Sequence, residues 1–366
     1  MTKAIRGLIL MFLLAAPSLA VTRAWDGGGT DGNWGTAANW STDVAPVAGD
    51  DLVFPATAAQ FATSCNIGFF TTFNTITVEG GTYTFGGNPI RLANGINAVG
   101  GTPTFNLAIT LSGPQTFTAG TGATATLLIL SIGNFPLTID GTGITGIGLL
   151  SGSGTITKNG AGAAAIIAAA GYSGALILNN GIFVVDASIP NSTVSINGTA
   201  PMGTLALSGF GGTGTVGATT VTSGVISAGT LTSPTGILNI SNGLTFTANG
   251  AYVCKIGGTA PGTNGHDQLN VTGAVNLGNA LLAPIPWGGF QPAVNDTFVI
   301  LRNDGTDAVN GTFLGMPEGA TFSGPLNSAY QITYHGGDGN DIAIKRVARA
   351  AFDFDGDGKS DISVFR

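Results

Sequence analysis

"SGSGTITKNGAGAAAIIAAAGYSGALILNNGIFVVDAS", from Ser151 to Ser188, carries two charges, Lys158 and Asp186. Nearly everything else in it is Gly, Ala, Ser, Thr, Asn or aliphatic. Its centre, Gly160 to Leu178, is nineteen uncharged residues, close to the roughly 20 that cross a bilayer as a helix. Four glycines interrupt that run, and Asn159-Gly160 and Asn179-Asn180-Gly181 bracket it as turns. Its flanks alternate: Ile156 lies between Thr155 and Thr157, and Leu176 and Leu178, then Phe183 and Val185, recur at the strand period of two. The stretch therefore reads as short strands joined by Gly and Asn corners.

The whole chain extends this character. Of 366 residues, 60 are glycine, 43% are hydrophobic and only 8% are charged. Sparse charge with abundant apolar residues is the reverse of a disordered composition, and the glycines keep no collagen-like period of three. Thr, Val, Ile and Gly in excess point to an all-β chain rich in tight turns. The net charge is −7 without a basic cluster, which argues against nucleic acid and anionic membrane surfaces as partners.

Residues 1–20 read as a signal peptide. Lys3 and Arg6 form a basic end, Leu8 to Ala16 is apolar, and Ser18-Leu19-Ala20 is small enough for cleavage after Ala20, with Ala24 as a second site. Later segments contain no convincing span, so the mature chain is expected to be secreted or on the cell surface.

Between Leu52 and His266 the charges are Glu79, Arg91, Asp140, Lys158, Asp186 and Lys255. An apolar-Thr motif next to Gly recurs there: "TITV" at Thr75, "TYTF" at Thr82, "TFTAG" at Thr116, "TITKNG" at Thr155 and "TFTANG" at Thr245. No helical period is present. Irregular strand repeats separated by single Gly or Asn corners favour a parallel β-helix, in which stacked coils share one core. The organisation expected is a signal peptide (1–20), an N-terminal cap (21–51), a β-helix of roughly ten coils (52–266), a β-rich C-terminal end (267–346), and a linker with a partial further repeat (347–366).

"GSGTITKNGAGAAAIIAAAGYSGALILNNGIFVV" resembles the autotransporter-associated β-strand repeat of bacterial surface and secreted proteins: a Gly-rich lead, a short strand, a Tyr172-Gly174 corner and a strand closing after Asn180-Gly181. "WDGGGTDGNWGTAANW" from Trp25 resembles the start of such passengers. "GFGGTGTVG" from Gly209, "HDQLNVTGAVNLG" from His266 and "YHGGDGNDIAI" from Tyr334 resemble later parts. This copy departs from the repeat at Ala168, Ala169 and Ala170, where small and polar residues with Asn are usual. The resemblance implies an all-β, right-handed parallel β-helix displayed or released outside the cell. "FDFDGDGKSDISVFR", which ends the chain at Arg366, resembles the start of an FG-GAP (VCBS-type) repeat.

Chemical motifs are few. "GTGITG" from Gly141 fits the dinucleotide pattern, but strand and turn residues follow it where a helix is required. Only His266 and His335 are available as bases, and no G-x-S-x-G is present. Acids are scarce in the body, although coil stacking could join Asp140 and Asp186 in a polysaccharide lyase or glycosidase. Thr-x-Thr pairs line ice-binding β-helices, yet here the motifs recur after seven residues and then thirty-four, and outward Thr is what an exposed strand prefers. Trp25, Trp34 and Trp40 could stack on sugars or close the open end of the solenoid; closure is the better reading. "GGDGND" (336–341) matches one nonapeptide of a calcium roll, but a single copy reads as a turn before a final strand.

Two cysteines, Cys65 and Cys254, are 189 residues apart. At roughly 20–30 residues per coil they lie too many coils apart to pair. One metal site is expected: Asp353, Asp355, Asp357 and Asp361 follow a D-x-D-x-D-G-x-x-D pattern whose alternate carboxylates can converge on calcium, with Gly358 at the sharp turn. The function expected is structural or adhesive, with glycans, cells or matrix as partners and no catalysis. A polysaccharide-degrading β-helix enzyme is the alternative.

Overall fold

The computed structural model describes residues 20–198, 209–324 and 328–348. The chain is all-β and forms a parallel β-solenoid of about nine turns, in line with the roughly ten coils expected, with a mixed sheet at its C-terminal end. The candidate span is not a helix. It contains the strands Ala163–Ala169 and Leu176–Leu178. Among the described residues no helix is long and apolar enough to cross a membrane.

One face is built from the strands Thr71–Val78, Ile90–Ala98, Gln115–Ala119, Leu137–Gly141, Ile156–Lys158 and Leu176–Leu178, each parallel to the next. Coil length is set by this register. Thr77 faces Asn97, Asn97 faces Thr118, and Thr138 faces Thr157, steps of 20, 21 and 19 residues. Each step advances the solenoid by one strand spacing, about 4.7–4.9 Å. A second face runs parallel to it through Thr84–Gly87, Thr124–Ser131, Ile144–Ser151 and Ala163–Ala169. Parallel pairing begins at Thr22–Ala24 and continues past residue 266 into Leu281–Pro286 and Thr297–Asn303.

The core consists of columns of like residues. Leu52, Ile76, Ile96, Phe117 and Ile139 are successive partners on the first face, followed after Lys158 by Leu178, Ile196, Val221 and Phe246, and all are buried. The second face stacks Phe85, Phe105, Leu127, Ile147, Ile166 and Val185 in the same way. Phe85 and Phe105 stack with centroids 4.5 Å apart. A single coil could not bury such a column, so every turn depends on its neighbours.

Close stacking at the corner accounts for the first two glycines of "GTGITG", Gly141 and Gly143. At Gly141, where φ is +91°, a β-carbon would lie 2.0 Å from the Ala119 carbonyl oxygen of the preceding coil. The strand Ile144–Ser151 follows directly. A strand therefore stands where a helix would have to receive a dinucleotide.

The N-terminal end is closed by Trp25, Trp34 and Trp40, all buried. Trp25 and Trp40 meet edge to face at 5.3 Å, and Trp34 packs on Phe54 at 5.7 Å. The indole of Trp25 donates to Gln60 O and that of Trp40 to Trp34 O, at 2.9 and 2.8 Å. These rings form a cap and present no free face to a sugar. Cys65 and Cys254 are both buried and unpaired.

At the other end, Gln268–Val271 and Thr297–Asn303 continue the parallel stacking. The chain then reverses, and Asp341–Val347, Ser328–Gly336 and Thr321–Gly324 add antiparallel strands. "GGDGND" is the turn between two of these strands, as expected.

Candidate binding surface and polar cleft

The Thr motifs, irregular in sequence, fall into register in space. Thr116 faces Thr138, Thr138 faces Thr157, and Thr157 faces Ile177, followed by Ser195, Thr220 and Thr245. Each alternates with buried residues, so the hydroxyls lie on the outer surface. A second column beside it holds Thr77, Asn97 and Thr118. At the next corner Asn179 donates to Asn159 Oδ1 at 2.8 Å and Asn197 to Asn179 Oδ1 at 3.4 Å, an amide ladder along the axis. The result is a long polar face with Asp140 as its main charge. Ile177 interrupts the hydroxyl row, so the face lacks the strict repeat expected of a lattice-matching surface.

The two acids of the enzymatic alternative do not meet. Asp140 belongs to the Leu137–Gly141 strand of the first face, where it accepts the Gly141 N–H at 2.7 Å. Asp186 follows the Ile182–Val185 strand of the second face and accepts the N–H and hydroxyl of Thr213, each at 3.0 Å. His266 is buried, with Nδ1 3.3 Å from Gly258 O and Nε2 3.2 Å from Val299 O. Burial lowers its pKa. His335 is exposed.

A buried polar cluster lies where the last coils meet the mixed sheet. Lys255 Nζ is 2.6 Å from Asp267 Oδ2, and neither side chain is accessible. The amine also donates to Ser227 Oγ and, at 2.9 Å, to Ala228 O. Asp267 accepts the backbone N–H groups of Gly236 and Lys255 at 3.1 and 3.0 Å. Burial raises its carboxyl to about 6 against the opposing pull of Lys255. Every donor of the ammonium is used, so the cluster is a closed structural unit. Alternation with Cys254 and Ile256 would place Lys255 outside. It is covered because the chain returns over it, with Gly257 N–H donating to Gly265 O.

Beside this junction is a cleft of about 290 Å³, lined by Asn270, Thr272, Arg302, Asn303, Asp304 and Asp338 with Val271 and Gly305. It joins two stacked coils to the Gly336–Asn340 turn. Among the described residues no three His, Cys, Asp or Glu side chains are grouped to hold a metal by themselves. Asp353, Asp355, Asp357 and Asp361, the expected calcium loop, lie outside the described residues, as do most of the signal peptide and the FG-GAP-like tail.

What these features define is a class, the parallel β-solenoid proteins. No family model and no curated protein matches the chain.

Proposed function

We propose that this chain is an exported bacterial surface or secreted protein with a structural or adhesive role, whose solenoid offers its polar face to glycans, cells or matrix. The observation that carries this reading is the row of hydroxyls from Thr116 to Thr245, extended along the axis and nearly free of charge. Such a face suits neutral polyhydroxylated ligands, because each hydroxyl both donates and accepts. The signal-like N-terminus and the likeness to autotransporter-associated repeats support export. The acidic loop at Asp353, Asp355, Asp357 and Asp361 would add a calcium-stiffened tail. The separation of Asp140 from Asp186 weighs against the rival polysaccharide-degrading enzyme.

The test is a screen of the purified full chain against immobilised neutral and acidic polysaccharides and matrix proteins, with assay of released reducing and unsaturated sugar ends. Retention on a neutral glycan without release is expected. Turnover that is lost in Asp140→Ala or Asp186→Ala would establish the enzyme instead.

A further inference from the structure

We propose that Lys255 and Asp267 condense into an amide, a covalent crosslink inside the folded chain formed with loss of one water. The inference does not depend on the polar face or on the C-terminal acidic loop.

The two reacting groups are already in contact. Lys255 Nζ lies 2.6 Å from Asp267 Oδ2, and both side chains are closed to solvent. The backbone holds the partners together from both sides. The Lys255 N–H donates to Asp267 Oδ2 at 3.0 Å, and the Asp267 N–H donates to Lys255 O at 2.8 Å. An amine and a carboxylate free in water stay apart as hydrated ions, but groups held in reacting geometry behave as if present at effective molarities on the order of 10⁵–10⁸ M. Exclusion of water also removes the hydration that keeps both ions unreactive. Burial raises the Asp267 carboxyl to about 6 against the opposing pull of Lys255. Its protonated form, the better electrophile, is correspondingly easier to reach.

A proton path joins the same two groups. Ser227 Oγ accepts from Lys255 Nζ and donates to Asp267 Oδ2 at 3.2 Å. Asp267 Oδ1 accepts the Gly236 N–H at 3.1 Å, a donor placed to hold the charge that develops on that oxygen as the amine adds. In the reaction one proton passes from the ammonium to Oδ2, directly or through Ser227. The freed lone pair attacks Cγ and the Nζ–Cγ bond forms. A second amine proton follows the same path, the Cγ–Oδ2 bond breaks, and Oδ2 leaves as water. One hydrogen stays on the new amide nitrogen. Atoms and charge balance within the pair, so no co-reactant is required. The ion pair in the structure is the state before this step. Lys158, also buried, donates to Gly160 O and has no carboxylate among its hydrogen-bond partners in the described residues, so no acyl group stands beside it. The new bond would tie the strand Leu244–Ile256 to the segment entering Gln268–Val271.

The experiment is intact mass spectrometry of the full chain, purified, incubated in buffer and then unfolded. The wild type is expected to weigh one water less than its sequence requires, and Lys255→Met and Asp267→Ala should each retain that water. Trypsin cuts after a free lysine, so the bond between Lys255 and Ile256 should survive digestion of the wild type, and fragmentation should place the link between residues 255 and 267. Ser227→Ala keeps both reacting groups and should form the link at least about tenfold more slowly. The readout is a mass, so it does not depend on the stability of any variant. Two results would overturn the proposal: a wild type of full mass that trypsin cuts after Lys255, or a loss of water that persists in both Lys255→Met and Asp267→Ala.

Discussion

Lys255 and Asp267 form an ion pair of 2.6 Å with neither side chain accessible to solvent. The pair is enclosed by Ser227, Ala228 and two backbone N–H groups, and it fastens the last coils to the segment that leads into the mixed sheet. Removing one partner of such a pair strands the other. Asp267→Ala should therefore lower the unfolding free energy by about 3–5 kcal/mol. Lys255→Met should cost less, because the carboxylate keeps both backbone donors. Urea denaturation of the two variants measures this; equal losses below about 1 kcal/mol would show that the cluster contributes little.

Lys158 occupies the core position between Ile139 and Leu178 and is 1% exposed. Burial lowers its pKa to about 8, opposed by the nearby Asp140 charge. The unfolded chain, with an ordinary value of about 10.4, then holds the proton more tightly than the folded one. Stability should rise as pH increases from about 8 to about 10.4 and be flat with respect to this group below that window. Lys158→Leu would continue the apolar column, abolish this rise, and stabilise the protein near neutrality by about 1–2 kcal/mol. Chemical denaturation at several pH values decides it: an unchanged slope in the variant would mean that Lys158 does not titrate in that window.

Gly141 and Gly171 both adopt positive φ, +91° and +73°. A β-carbon at Gly141 meets the preceding coil, whereas at Gly171 nothing lies within 4 Å. Gly171→Ala should cost only the left-handed backbone penalty, about 1–2 kcal/mol. Gly141→Ala adds displacement of a coil and should cost clearly more. Melting temperatures of the two variants test the assignment; equal effects would argue against close stacking at this corner.

The period-two alternation of Ile156, Leu178, Phe183 and Val185 was legible because it is local, and all four are buried. The same alternation from Ile156 points Lys158 inward, a signal present in "TITKNG" that its charge and its place before a turn obscure. The hydroxyl row was not legible. Thr116, Thr138 and Thr157 align only after corners of unequal length absorb steps of 22 and 19 residues, and spacing along the chain conceals that. The cleft has no local signature either. Asn270, Asn303 and Asp338 meet because the chain reverses after the last parallel strand, and pairing between distant strands is a property of the folded chain. Trp25, Trp34 and Trp40 were readable as a cap since an open solenoid end must be covered.

The central claim is that the face bearing Thr116 to Thr245 is the binding surface. The most direct measurement is the affinity of the full chain for the glycan or matrix component it retains, compared between wild type, Thr138→Lys with Thr157→Lys on that face, and Thr126→Lys on the second face. Both sets place charge on partly exposed strand positions, and circular dichroism should confirm an unchanged fold in each. The account predicts that the first variant loses at least about 1.4 kcal/mol of binding, a tenfold weakening, while the second binds as wild type. Equal affinities for all three would contradict it.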